Sequence, residues 1–234
     1  MAKQVGFLNS LKLSWLDLAL DLAAVEDDET NFRSAILPAV TEDVTSKIKQ
    51  VKITRMLTDM WFSEANGLTT IRKLIPLPET ITPYERLVSH FCIMQIRYPI
   101  FAETCELIGK ISSMQDSFTP LWLRTRLHES WGEREIIDKA ALFILQTMVE
   151  IGIIKRIVTG QYNVEVFNVD SKPALKMLLA VQLYHGGSYT DIANLGPVFH
   201  TFPFRYSIDA ELLQDSPEYR ISSFGGRRTV TLDV

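Results

Sequence analysis

The stretch Ser117–Phe167, SFTPLWLRTRLHESWGEREIIDKAALFILQTMVEIGIIKRIVTGQYNVEVF, decides how this chain is read. Thr119-Pro120 opens a helix: the threonine oxygen accepts an otherwise free N–H, and the proline ring presets φ for the first turn. That helix runs to about Ser130 and carries Leu121, Trp122, Leu123 and Leu127. Trp131-Gly132 turns the chain. Glu133 through Glu150 is predicted as a longer helix, with Ile136, Ile137, Ala140, Ala141, Ile144, Leu145, Met148 and Val149 inward at three- and four-residue spacing. Gly152 suits a left-handed cap. Ile153–Val158 reads as a strand, Thr159-Gly160-Gln161 as a turn and Tyr162–Phe167 as the returning strand. Helix, turn, longer helix and hairpin form the second half of a winged helix, and Ile100–Ser113 supplies its first helix. Such a module meets DNA or a protein partner.

Upstream, residues 7–25 place Leu11, Trp15, Leu18 and Leu22 on one stripe of an amphipathic helix, closed by the acidic run Glu26–Glu29. Asp28 or Thr30 caps a second helix carrying Phe32, Ala35 and Ile36. A longer helical pattern runs from Glu42 to about Ala65, with Ile48, Val51, Ile53, Leu57, Met60 and Trp61 inward. Its other side holds Lys47, Lys49, Lys52 and Arg55, read as a solvated face rather than a phosphate-binding stripe. Pro76, Pro78 and Pro83 mark a loop, and Thr82-Pro83-Tyr84-Glu85 is a capping-box pattern for the next helix. Downstream, Pro173–Tyr184 is predicted as a helix closed by Gly186-Gly187. Asp209–Gln214 follows as a short helix, and Tyr219–Ser223 and Thr229–Asp233 as strands about Phe224-Gly225-Gly226-Arg227-Arg228. The expected architecture is mainly α with small β-hairpins, in three parts. These are an N-terminal helical region (1–80), a winged-helix domain (81–170) and a C-terminal helix–hairpin unit (171–234).

Composition sets outer limits. The 234 residues are 47% hydrophobic and 22% charged, enough for a real core, and the formal charge is −4. That balance speaks against strong non-specific attraction to nucleic acid. It is uneven, acidic over residues 1–50 and basic over 51–100. Cys92 and Cys105 lie in apolar helical stretches without a CxxC pairing and read as buried thiols of a reducing cytoplasm. Asp17 and Asp21 interrupt the N-terminal apolar run, so neither a signal peptide nor a membrane span is expected.

Catalytic patterns are weak. His90, His128, His185 and His200 show no two-histidine metal spacing, and none joins a cysteine in a zinc pattern. His90 reads as a satisfied core side chain, and His128 and His185 as helix-end residues suited to the dipole. With no glycine-rich phosphate loop and no GxSxG, the expectation is a non-enzymatic protein without metal or cofactor. Trp15, Trp61 and Trp122 read as core; Trp131, at the turn, is open to either place.

The candidate DNA contacts are cationic. On the third helix of the module the outward positions are Arg134, Glu135, Asp138, Lys139, Leu142, Gln146 and Glu150. Three are acidic and repel phosphate, so base reading through the middle of the helix is disfavoured, leaving Arg134 and Lys139 at its start. Arg124 and Arg126 on the preceding helix, Lys155 and Arg156 at the wing, and Arg220, Arg227 and Arg228 about the second hairpin complete the set. A thin basic ribbon suits a groove; the same charges also keep an exposed strand edge from pairing with another chain.

The segment Trp131–Ile154, WGEREIIDKAALFILQTMVEIGII, resembles the stretch before the wing in the small A component of bacteriophage exclusion (BREX) systems. The helical pattern over Arg86–Ile111 and the chain length are similar to that family too. The resemblance implies a cytoplasmic, non-enzymatic accessory protein of a phage-defence operon. Its partners would be double-stranded DNA and other proteins of the same system, as a monomer or a homo-oligomer. The alternative is a module whose winged helix docks a larger defence enzyme.

Overall fold

A computed structural model describes residues 4–64, 67–187, 189–214, 216–224 and 226–232. The protein is mainly helical, 59% helix in ten α-helices among the described residues, with small β-sheets. Residues 4–12 are irregular rather than helical. Phe7 sits edge-on to Tyr98 (5.2 Å between centroids) and stacked on Phe101 (5.9 Å), and the Leu11 N–H donates to Thr147 Oγ1 at 2.9 Å. Helix α1 (Leu13–Ala23) therefore starts later than its apolar stripe suggests, and it buries Trp15, Leu16, Ala19 and Leu20.

Asp28 caps α2 (Glu29–Asp43), accepting from Thr30 and Asn31 N–H at 2.8 and 2.9 Å. Phe32, Ile36 and Val40 form its buried face; Ala35 faces solvent. Residues 44–46 break the helix expected from Glu42, so α3 is Lys47–Phe62, and Ala65 lies outside the described residues. Its core face is Ile53, Met56, Leu57, Met60 and Trp61, whereas Ile48 and Val51 are 70% and 66% exposed. The first turn of α3 projects past the core, and apolar spacing alone does not mark where a core ends. A short helix, α4 (Leu68–Leu74), was not expected.

The Thr82 capping box opens α5 (Pro83–Arg97), with Glu85 N–H on Thr82 Oγ1 (3.2 Å) and Thr82 N–H on Glu85 Oε2 (2.9 Å). Val88 through Ile96 are all buried, making α5 the central helix, and α3, α4, α6 (Pro99–Ser112) and a later helix pack around it. The next elements are β1 (Ser117–Phe118), α7 (Pro120–Trp131), α8 (Glu135–Glu150), β2 (Ile154–Val158) and β3 (Gln161–Val164). Strand β3 lies between β1 and β2, antiparallel to both, with Phe118 and Arg156 opposite Tyr162 on its two sides.

The returning strand ends at Val164, short of the expected Phe167, which opens β4 (Phe167–Val169). After α9 (Lys172–Gly186), β5 (Tyr189–Asp191) and β6 (Phe204–Tyr206), the chain brings β6 parallel to β4, Phe167 opposite Phe204. Helix α9 is the one that covers α5 from this side. Helix α10 (Ala210–Gln214) leads to β7 (Tyr219–Phe224) and β8 (Arg227–Leu232), which join β5 in a sheet of order β5-β8-β7. Gly225 and Asp233, expected in this hairpin, lie outside the described residues. One buried apolar cluster runs from Val5 to Val230 and includes Cys92 and Cys105.

Candidate nucleic-acid interface

Thr119 caps α7, accepting from Trp122 N–H at 3.2 Å, and the helix turns Leu123, Leu127 and Trp131 inward. Trp131 is a core residue: 6% exposed, its Nε1–H donates to Glu103 Oε2 at 2.8 Å. Helix α8 buries Ile137, Ala140, Ala141, Ile144, Leu145, Thr147 and Met148. Ile136 and Val149, expected inside, flank that face and are 42% and 40% exposed, beside Leu142 at 48%. The outward side of α8 is therefore part apolar and part charged.

Two of its three outward carboxylates, Glu135 and Asp138, are engaged within the chain. Asp138 Oδ1 lies 2.8 Å from His128 Nε2 and 3.5 Å from Arg124 Nε, and Glu135 lies 2.7 Å from Lys139 Nζ. Arg126 Nη1 donates to both carboxylate oxygens of Glu129, at 2.9 and 3.1 Å. Arg134 Nη2 donates to the Trp131 carbonyl at 3.1 Å, tying the α7–α8 turn. Exposed pairs of this kind contribute about 0–1 kcal/mol, so Arg124 and Lys139 can exchange their partners for phosphate. These two share a cleft of about 370 Å³ with Pro120, Leu121, Leu142 and Leu145.

Across from them stands α3. Lys49 and Lys52 line a cleft of about 400 Å³ together with Lys139, Glu135, Ile136 and Phe143. Among the described residues, no carboxylate lies within 4.0 Å of Lys47, Lys49 or Lys52. The helix face that reads in sequence as solvated is exposed at Lys47, Lys49, Lys52 and Arg55, and its Lys49 and Lys52 also line a cleft with α8. The sequence held a usable signal: no acid stands three or four positions from Lys49 or Lys52, so neither has a partner on its own helix.

The remaining candidates fall elsewhere. On β2, Lys155 pairs with Glu165 at 3.1 Å, while Arg156 is exposed beside Ile157 and Val158. Arg227 and Arg228 are exposed on β8, opposite Phe224 and Ser223, and Arg220 is exposed on the edge strand β7. That hairpin packs on β5, α9 and α10, whereas α7 and α8 pack on α6 and β2. The nine expected cations thus form separate groups on the α7–α8 pair, the β2–β3 ribbon and the C-terminal hairpin.

Among the described residues, no three His, Cys, Asp or Glu side chains cluster to hold a metal ion. No helix among them is long and apolar enough to cross a membrane. His90 is buried with Nε2 at 2.8 Å from Asp17 Oδ1, and burial pushes its pKa down against the pull of Asp17. His185 and His200 stack in parallel, 4.5 Å between ring centroids, with Glu106 3.3 Å from His200 Nε2. No family model matches the chain, and no curated protein or solved structure matches it either.

Proposed function

We propose that residues 99–164 form a winged helix and that the protein binds duplex DNA through phosphate contacts rather than base reading. The order α6–β1–α7–α8–β2–β3, with β3 paired between β1 and β2, supports the module. The observation that carries the binding mode is the cleft where Lys49 and Lys52 of α3 face Lys139 of α8. Two of these cations have no carboxylate partner, and counterion release from DNA favours such groups over paired ones. The outward α8 residues Ile136, Leu142 and Val149 lack the donors and acceptors that distinguish base pairs, so sequence preference is weak. Arg124, Arg156, Arg227 and Arg228 extend the contact. The resemblance of Trp131–Ile154 to the small A component of BREX systems supports a role in phage defence, as a non-enzymatic accessory protein.

Fluorescence anisotropy with a labelled duplex across a salt series tests this. Replacing Lys49 and Lys52 together by Glu is expected to lower the log–log salt slope by about two. An unchanged slope, or no salt-sensitive binding at micromolar wild-type protein, overturns the reading. A second reading, docking of a larger protein of the same system, is favoured by one observation: Leu121, Ile136, Leu142 and Val149 are 40–62% exposed on the α7–α8 face. Loss of a neighbour-encoded partner on Leu142→Glu, with the Lys49/Lys52 variant still binding it, would select that reading.

A further inference from the structure

A second cavity lies at the other end of α3. About 270 Å³ in volume, it is lined by Leu20, Trp61, Phe62, Ile75 and Leu77 together with Arg72, Glu26 and Asp27. Small-ligand clefts begin at roughly this size, about 300 Å³. From Lys49 to Trp61 is about 18 Å along the helix, so this site is independent of the proposed DNA cleft.

Arg72 is fixed and unneutralised. Its Nη2 donates to the carbonyls of Ser63 (2.5 Å) and Met60 (3.4 Å), which ties the guanidinium to the end of α3. Among the described residues no carboxylate comes within 4.0 Å of it, although Glu26 and Asp27 line the same cavity. Those two have no cationic partner there either. Burial disfavours the charged form of Arg72, and an arginine does not shed its proton in a protein, so an anion beside it relieves that cost. Arg72 Nε and Trp61 Nε1, both on lining residues, are buried N–H donors without an acceptor among the described residues. A cation and two carboxylates that line one partly apolar cavity without pairing fit a ligand that is itself dipolar.

We propose that this cavity binds a small zwitterion, an α-amino acid with an apolar side chain. Its carboxylate meets Arg72, its ammonium meets Glu26 and Asp27, and its side chain lies against Phe62, Ile75 and Leu77. Arg72 sets the choice of carboxylate through charge-assisted hydrogen bonds from the guanidinium N–H groups that the Met60 and Ser63 carbonyls leave free. Calorimetry and thermal shift with L-leucine, L-phenylalanine, leucinamide and 4-methylpentanoate test it on the full chain. The two amino acids are expected to bind and raise Tm. Leucinamide, without the carboxylate, and 4-methylpentanoate, without the ammonium, should each bind at least about tenfold more weakly. Arg72→Gln should abolish binding. Because Arg72 also ties down α3, the pair Glu26→Gln with Asp27→Asn, half-buried and exposed respectively, serves as the second variant and should weaken leucine by about tenfold or more with Tm of the free protein unchanged. No binding of either amino acid at about 10 mM, or binding of either truncated analogue as tight as that of leucine, overturns the proposal.

Discussion

His185 shows how burial becomes a pH response. Burial first, and then the charge of the stacked His200, push its pKa down to about 4; a hydrogen bond to the Gln95 backbone and the Glu106 carboxylate pull the other way. Its folded pKa lies below the unfolded value of about 6.5. Above that value both states are neutral and nothing is lost. As pH falls through the interval, the unfolded chain takes a proton that the folded chain refuses, and stability drops, by about 2 kcal/mol at pH 5 from this group alone. Buried His90 is shifted in the same direction. Urea midpoints at pH 7 and pH 5 should differ for the wild type, and His185→Gln should shrink the difference. Glu85 adds to the acid response further down. Burial pushes its carboxyl up, but hydrogen bonds from Ser171 and Thr82 outweigh that and leave it below its ordinary value. The stability it contributes is present above the carboxylate range and fades as pH falls through it. Glu85→Ala removes the acceptor for Ser171 Oγ and for Thr82 N–H and Oγ1, and should cost about 1–3 kcal/mol by chemical denaturation.

Elements meet closely where α6 touches the 3₁₀ turn 199–201. A Cβ at Gly109 would lie 2.8 Å from the Phe199 carbonyl oxygen and 3.0 Å from Phe202 Cβ, so backbone must move to admit it. Gly109→Ala should therefore lower stability by about 1–3 kcal/mol, measured by urea unfolding, although alanine is the better helix former. This contact also shows what could be read in advance. Caps were legible because their chemistry is local: Asp28, Thr82 and Thr119 each start the helix their side chains predict. The three helices and the hairpin over 99–164 followed from periodicity for the same reason, whereas the two-residue strand β1 did not. Exposure did not, because Ile48, Val51, Ile136 and Val149 have core-like spacing but lie where neighbouring elements cover them only in part. The facing of Lys49 and Lys52 toward Lys139 was equally hidden, since it depends on how α3 and α8 are brought together by residues 7–9 between them. The short strands β4, β5 and β6 have too few residues for a period and are defined by their partners.

At the scale of the molecule, α9 ties the C-terminal third to the rest. Nine of its residues, Ala174, Leu175 and Met177 through Leu183, are buried, and it packs along α5. A chain ending at Asp170 would leave that face of α5 in water, including Ser89, whose hydroxyl meets Met177 Sδ at 3.5 Å. Residues 1–170 expressed alone should lack a cooperative thermal transition, whereas the full chain should unfold in a single step. Two separate transitions in the full chain would mark independent units instead. The parallel pairing of Phe167–Val169 with Phe204–Tyr206 has a consequence for biosynthesis. While the ribosome is still making the intervening helix, the earlier strand has no mate, and parallel partners separated by a long crossover close slowly. Nascent chains stalled before Phe204 leave the tunnel with an unsatisfied edge, which makes the late stage of translation the point of greatest exposure to chaperones and to aggregation.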